Sequence, residues 1–146
     1  MERKLLFSHI ANRYSERILL FIQITLFALY LYSSLVKILN LNGFHNTLLK
    51  SPMFDSALAG ILVYTVPIWE ILICGLIVNS KTYLLGCFAS FFTMVCFTIY
   101  LILIYTQFSL TPCSCGGVIN SLSYEWHIAL NLFFASLSIV AISLKK

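Results

Sequence analysis

Four apolar stretches, at residues 18–39, 57–78, 83–105 and 124–144, govern what this chain can fold into. Each is long enough, as a helix rising about 1.5 Å per residue, to cross a hydrocarbon layer about 30 Å thick. Hydrocarbon offers no partner to a backbone N–H or C=O, so such stretches span a membrane only as helices or in a closed barrel, and runs this continuous are helical. The 146 residues leave no room for a separate soluble domain. The expected fold is therefore all-α: an integral membrane four-helix bundle making a single transmembrane domain over residues 1–146. Composition agrees, since 60% of the residues are hydrophobic and 10% charged, against about 25% charged in a soluble domain. The run at 18–39 is too long for a signal-peptide core and is not followed by a small-residue cleavage site, so it reads as a retained span. There is no internal repeat, low-complexity tract or phosphate-binding glycine loop. The basic residues are too few and scattered for a nucleic-acid surface, and no nucleic-acid partner is expected.

Lysine and arginine set the expected orientation. Arg3, Lys4, Arg13 and Arg17 precede the first run, Lys81 lies between the second and third, and Lys145 and Lys146 close the chain. Only Lys50 lies in the opposite connections, which predicts an N-in/C-in protein. In a bacterium that means the inner (cytoplasmic) membrane, with the segment 107–123 facing the periplasm. The first outer loop opens with Asn40-Leu41-Asn42-Gly43, where a positive φ at Gly43 would end the first helix. Phe44, Leu48 and Leu49 then recur at helical spacing beside His45, Asn46 and Lys50, which predicts a short interfacial helix before Ser51-Pro52. The brief connection 79–82 makes the second and third spans antiparallel neighbours.

The chemistry-bearing residues gather in the second outer loop, Thr111-Pro112-Cys113-Ser114-Cys115-Gly116-Gly117. Two thiols one residue apart close into a small strained ring in an oxidising compartment, and strained or exposed disulfides are the exchange-active ones. A structural disulfide gains little from so short a loop, because the entropy it removes from the unfolded chain grows with loop length. Exchange is the favoured reading. Capture of a soft metal such as copper and an inert structural pair are the alternatives; no further cysteine and no methionine cluster stands nearby to complete a metal site.

Lys37 lies near the outer end of the first span, where an ammonium favours a nearby thiolate. His127 and Asn131, four apart, share a face at the outer start of the fourth helix, placing His127 to shuttle protons and Asn131 to orient it. The plainer readings are a snorkelling lysine, a histidine in the aromatic belt beside Tyr124 and Trp126, and an interhelical asparagine contact. Glu70 is a carboxylate inside a span, which is costly; it reads as a protonated or hydrogen-bonded structural centre, with a proton or quinone site as the alternative. Pro67, three residues earlier, leaves the carbonyl of Val63 without its usual donor and is expected to kink the helix. Counting depth from the membrane faces puts Glu70 nearer the inner side, level with Thr25, Thr93 and Ser136, and too far from Lys37 for a direct salt bridge unless the spans are offset. Cys74, Cys87 and Cys96 lie within spans and read as small packing residues, with an inner Cys74–Cys87 relay as the alternative.

The run Pro112-Cys113-Ser114-Cys115-Gly116-Gly117, followed by Trp126-His127 and Asn131, resembles the motif of MauE/DoxX-type redox-associated membrane proteins, four-helix proteins related to the methylamine-utilisation protein MauE. Ser34 to Lys37, Phe44, Ser51-Pro52, Pro67 and Trp69-Glu70 fit the same pattern, so the resemblance covers most of the chain from the first span onward. It implies a role in disulfide formation or thiol redox maturation of exported proteins, and a bundle like those of four-helix thiol oxidoreductases that use quinone. The chain differs from those oxidases in having Cys-x-Cys for Cys-x-x-Cys and no second outer pair. No cofactor is required by the sequence, and a quinone is the one it admits. The expected function is thus a membrane thiol–disulfide redox protein or accessory factor, with a periplasmic or exported thiol protein as partner and membrane lipid around it. The rivals are a non-enzymatic scaffold subunit of a larger membrane complex and a periplasmic-side copper-handling protein.

Overall fold

The structure is a computed structural model that describes residues 2–51, 53–108 and 124–145, with side chains described at 13–51, 53–106 and 125–145. It contains five helices and no strand among the described residues: α1 (Glu2–Leu39), α2 (Leu41–Lys50), α3 (Ser56–Val78), α4 (Tyr83–Phe108) and α5 (Tyr124–Lys145). Four of them are long and apolar enough to cross a membrane. α1 starts well before the apolar run at 18–39, because residues 2–17 contain neither proline nor glycine to interrupt the helical ladder. Large apolar side chains such as Phe21, Ile61, Phe92 and Phe133 point outward from all four long helices, as befits a bundle solvated by hydrocarbon.

The long helices form a ring. α1 packs on α3, α3 on α4, α4 on α5, and α5 back on α1. The core holds Ile22, Leu26, Tyr30, Ile73, Ile77, Cys87 and Ala141. Across its diagonal, the Tyr30 hydroxyl meets the Ser90 carbonyl at 3.2 Å and the Ser90 Oγ at 3.1 Å, and Ser90 Oγ lies 3.0 Å from Ser138 Oγ. Three helices are thereby tied by buried hydroxyls whose alternative, an unsatisfied group in an apolar interior, is costly.

Helix termini are set by local chemistry. Asp55 caps α3, its side chain accepting from Leu58 N–H at 2.8 Å. Between α3 and α4, Asn79 Oδ1 accepts from Lys81 N–H, and Thr82 Oγ1 donates to the Leu76 carbonyl, fixing the tight turn that makes these helices antiparallel neighbours. A Cβ at Gly86 would meet the Ile77 backbone N at 2.9 Å, so α4 leaves this turn closer to α3 than any larger residue allows.

Gly43 departs from expectation. It lies inside α2 with no left-handed φ, and Asn40, not Gly43, makes the break between α1 and α2. The Asn40 Oδ1 accepts from Gly43 N–H at 3.0 Å, and a Cβ at 43 would stand 2.7 Å from Asn40 Cγ. Glycine is needed here for room beside a capping side chain. α2 then buries Phe44 and Leu48 against Ala59 and Val63 of α3, while Leu49 stays exposed.

The register between α1 and α3 decides where the polar residues meet. Gln23 Nε2 donates to the Ile77 carbonyl, Cys74 Sγ approaches the Phe27 carbonyl, and Ser33 Oγ donates to Glu70. Partner numbers rise on one helix as they fall on the other, so the pair is antiparallel, and Leu39 at the end of α1 stands level with about residue 63. The first turns of α3 therefore project past the end of α1 and are covered by α2.

Candidate functional site

That offset overturns the expected separation of Lys37 and Glu70. The Lys37 ammonium lies 2.6 Å from Glu70 Oε1, with both side chains buried. Counting both helices from a common plane put Glu70 too deep, whereas by register it faces Ser33, roughly 9 Å below the end of α1 at 1.5 Å per residue. Side chains on a helix lean toward its N-terminus, so Lys37 leans down α1 while Glu70, on an antiparallel helix, leans up toward it. Lys37 also donates to Ser33 Oγ, and its ammonium sits 5.8 Å from the centre of the Phe44 ring. It does not snorkel to the interface.

Other depth neighbours separate. Thr93 joins Glu70 at one cavity, but Thr25 Oγ1 turns back to the Phe21 carbonyl and the exposed Ser136 turns back to Phe133. Ser34 likewise returns to the Leu31 carbonyl. The polar centre is Ser33–Lys37–Glu70. Ser33 and Lys37 are four apart on α1, and that spacing was the available sequence signal for Ser33.

The cavity at this centre has a volume of about 420 Å³. It brings together Lys37 of α1, Glu70 of α3, and His127 and Asn131 of α5, four residues from three helices. Its walls are largely apolar and include several aromatic rings: Phe54 and Tyr100 stack with centroids 5.4 Å apart, and Trp69 Nε1 donates to Thr93 Oγ1 at 2.9 Å, tying α3 to α4 beside Glu70. Glu70 Oε1 takes both donors from α1, while Oε2 has no hydrogen-bond partner among the described residues. Pro67 is buried within α3, one turn before Glu70.

The remaining cysteines divide. Cys74 and Cys87 are buried in the core, as packing residues are, whereas Cys96 is exposed and borders the cavity. Pro112, Cys113, Cys115, Gly116 and Gly117 lie outside the described residues. In the sequence they fall between α4 and α5, whose flanking ends lie at the end of the bundle that carries α2. No group of three or more metal-ligating side chains occurs among the described residues.

The family model described as methylamine utilisation protein MauE matches residues 15–144, nearly the whole chain. The chain belongs to the MauE family. No curated protein and no solved structure matches it. The family match takes in α2, α3 and α4 and most of α1 and α5, and so it covers the Lys37–Glu70 pair, His127 and Asn131 together with the Cys113–Cys115 segment.

Proposed function

We propose that this MauE-family protein is a membrane thiol–disulfide redox protein or accessory factor that supports maturation of exported proteins through Cys113 and Cys115. What supports this reading is that Lys37, His127 and Asn131 border one cavity, and that the end of α4 and the start of α5, which flank the two-thiol segment in the sequence, lie at the same end of the bundle. In this reading the protein sits N-in/C-in in a bacterial inner membrane, with α2 at the interface and the thiols at the periplasmic face, as the lysine and arginine distribution favours. The family's role in methylamine utilisation suggests that the client is an exported thiol protein of that process.

Exchange needs no external electron carrier. One thiolate attacks a sulfur of the client disulfide, forming a mixed disulfide and releasing a client thiolate; the second cysteine attacks its neighbour's sulfur and releases the other. The client disulfide is reduced as the Cys113–Cys115 pair is oxidised, and the reverse sequence oxidises the client. Lys37 is held by Glu70 and Ser33, so proton delivery to the leaving thiolate falls to His127, with Asn131 one turn away on the same face. Replacing Cys115 by Ser is expected to trap a covalent client adduct, visible on a non-reducing gel and released by reductant, if Cys113 attacks; Cys113→Ser tests the opposite order. Absence of an adduct from both, with client binding retained in the double variant, would establish a scaffold instead.

A further inference from the structure

The thiol reading makes no use of the cavity's carboxylate. Glu70 is almost fully buried, its Oε1 is occupied by Lys37 and Ser33, and its Oε2 is unpartnered among the described residues. A buried acceptor left without a donor is costly and is satisfied by whatever donor enters beside it. The charge of Glu70 is already met by Lys37, so the missing partner is a neutral donor and not a second cation.

The walls define the rest of the occupant. Phe54, Phe97, Tyr100 and Trp69 supply flat apolar surface, and about 420 Å³ lies within the range of small-molecule pockets. A second, smaller hollow lined by Thr65, Val66, Trp69, Glu70, Thr93 and Phe97 shares all of those residues but Thr65 with the main cavity. Thr65 and Trp69 are exposed on the outer surface of the bundle, so this hollow opens between α3 and α4 toward the surrounding hydrocarbon.

We propose that the cavity binds a lipid-soluble aromatic ring carrying a hydroxyl group, of the phenol and hydroquinone class, which enters between α3 and α4 and donates to Glu70 Oε2. Trp69 and Phe97 flank the entry, and His127 and Asn131 offer polar contacts to a second ring oxygen. Binding stands on the cavity alone. Its use in redox chemistry rests on the thiol reading: closing the Cys113–Cys115 pair releases two electrons and two protons, which a quinone of this class takes up to become the hydroquinone.

The test uses the full chain in lipid nanodiscs, with Trp126→Phe so that Trp69 is the fluorescent reporter. The probes are a decyl-substituted benzohydroquinone and its dimethyl ether, which keeps ring and tail but has no donor. The hydroquinone is expected to quench Trp69 saturably and to bind about tenfold more tightly than the ether, the value of one hydrogen bond to a charged acceptor. Val66→Phe, which fills the shared wall without touching the ion pair, is expected to abolish saturable quenching. Equal affinity for the two probes would mean an apolar cavity that accepts any lipid tail, and would overturn the proposal, as would unsaturable quenching or unchanged binding in Val66→Phe. The Cys113→Ser/Cys115→Ser variant is expected to bind the hydroquinone as the parent does. Ligand binding there without client trapping elsewhere would sink only the thiol reading, and trapping without binding only this one.

Discussion

At the scale of single residues, the Lys37–Glu70 pair is the feature with most consequence for stability. Two charges are held in an apolar interior at a separation of 2.6 Å, each offsetting the other's desolvation. Removing one partner leaves an uncompensated charge. Lys37→Met and Glu70→Gln are each expected to cost about 3 kcal/mol, read as loss of thermal or denaturant stability in detergent. The double variant, with neither charge, is expected to recover most of that loss, giving a large non-additive coupling; additive losses would show that the pair does not interact. The individual residues were legible in the sequence as an intramembrane lysine and carboxylate, but their meeting was not. Depth counting assumes that neighbouring helices begin in one plane, and the Asn40 break with α2 shifts α3 past α1 in a way that no single residue announces.

At the scale of elements, the apolar runs were long enough to reveal four of the five helices, and the spacing of Phe44 and Leu48 revealed the face that α2 buries. The role of Gly43 was misplaced because glycine after asparagine is a turn signal, and its helical use depends on the Asn40 side chain folding back over it. This has a measurable outcome. Glycine costs about 1 kcal/mol relative to alanine within a helix, and losing an asparagine cap also costs about 1 kcal/mol. Gly43→Ala is therefore expected to change stability little in the parent, because the added methyl displaces the cap it would otherwise reinforce. In an Asn40→Ala background, where no cap remains to displace, the same change should stabilise by about 1 kcal/mol. Thermal unfolding of the four proteins followed by helical circular dichroism measures both values, and an equal effect in the two backgrounds would show that cap and glycine are independent.

At the scale of the whole molecule, sidedness connects the bundle to its proposed chemistry. The ring of helices places α2, the cavity, the end of α4 and the start of α5 toward one end, and the turn bearing Lys81 at the other. The sequence could show which connections share an end, since that follows from counting spans; how the cavity is assembled depends on interhelical register, which the apolar pattern leaves undetermined. If lysine and arginine orient the protein as proposed, the two ends differ in their access to a membrane-impermeant thiol reagent. In a Cys113→Ser/Cys115→Ser background, a cysteine introduced at Asn46, exposed on α2, should label in intact cells, whereas one at Ser80, exposed in the α3–α4 turn, should label only after the membrane is opened. The buried Cys74 and Cys87 are shielded within the bundle, and Cys96, although exposed, lies midway along α4 where lipid excludes a charged reagent. The opposite labelling pattern would put the two-thiol segment in the reducing cytosol, where disulfides do not persist, and would remove the oxidising compartment on which the exchange chemistry depends.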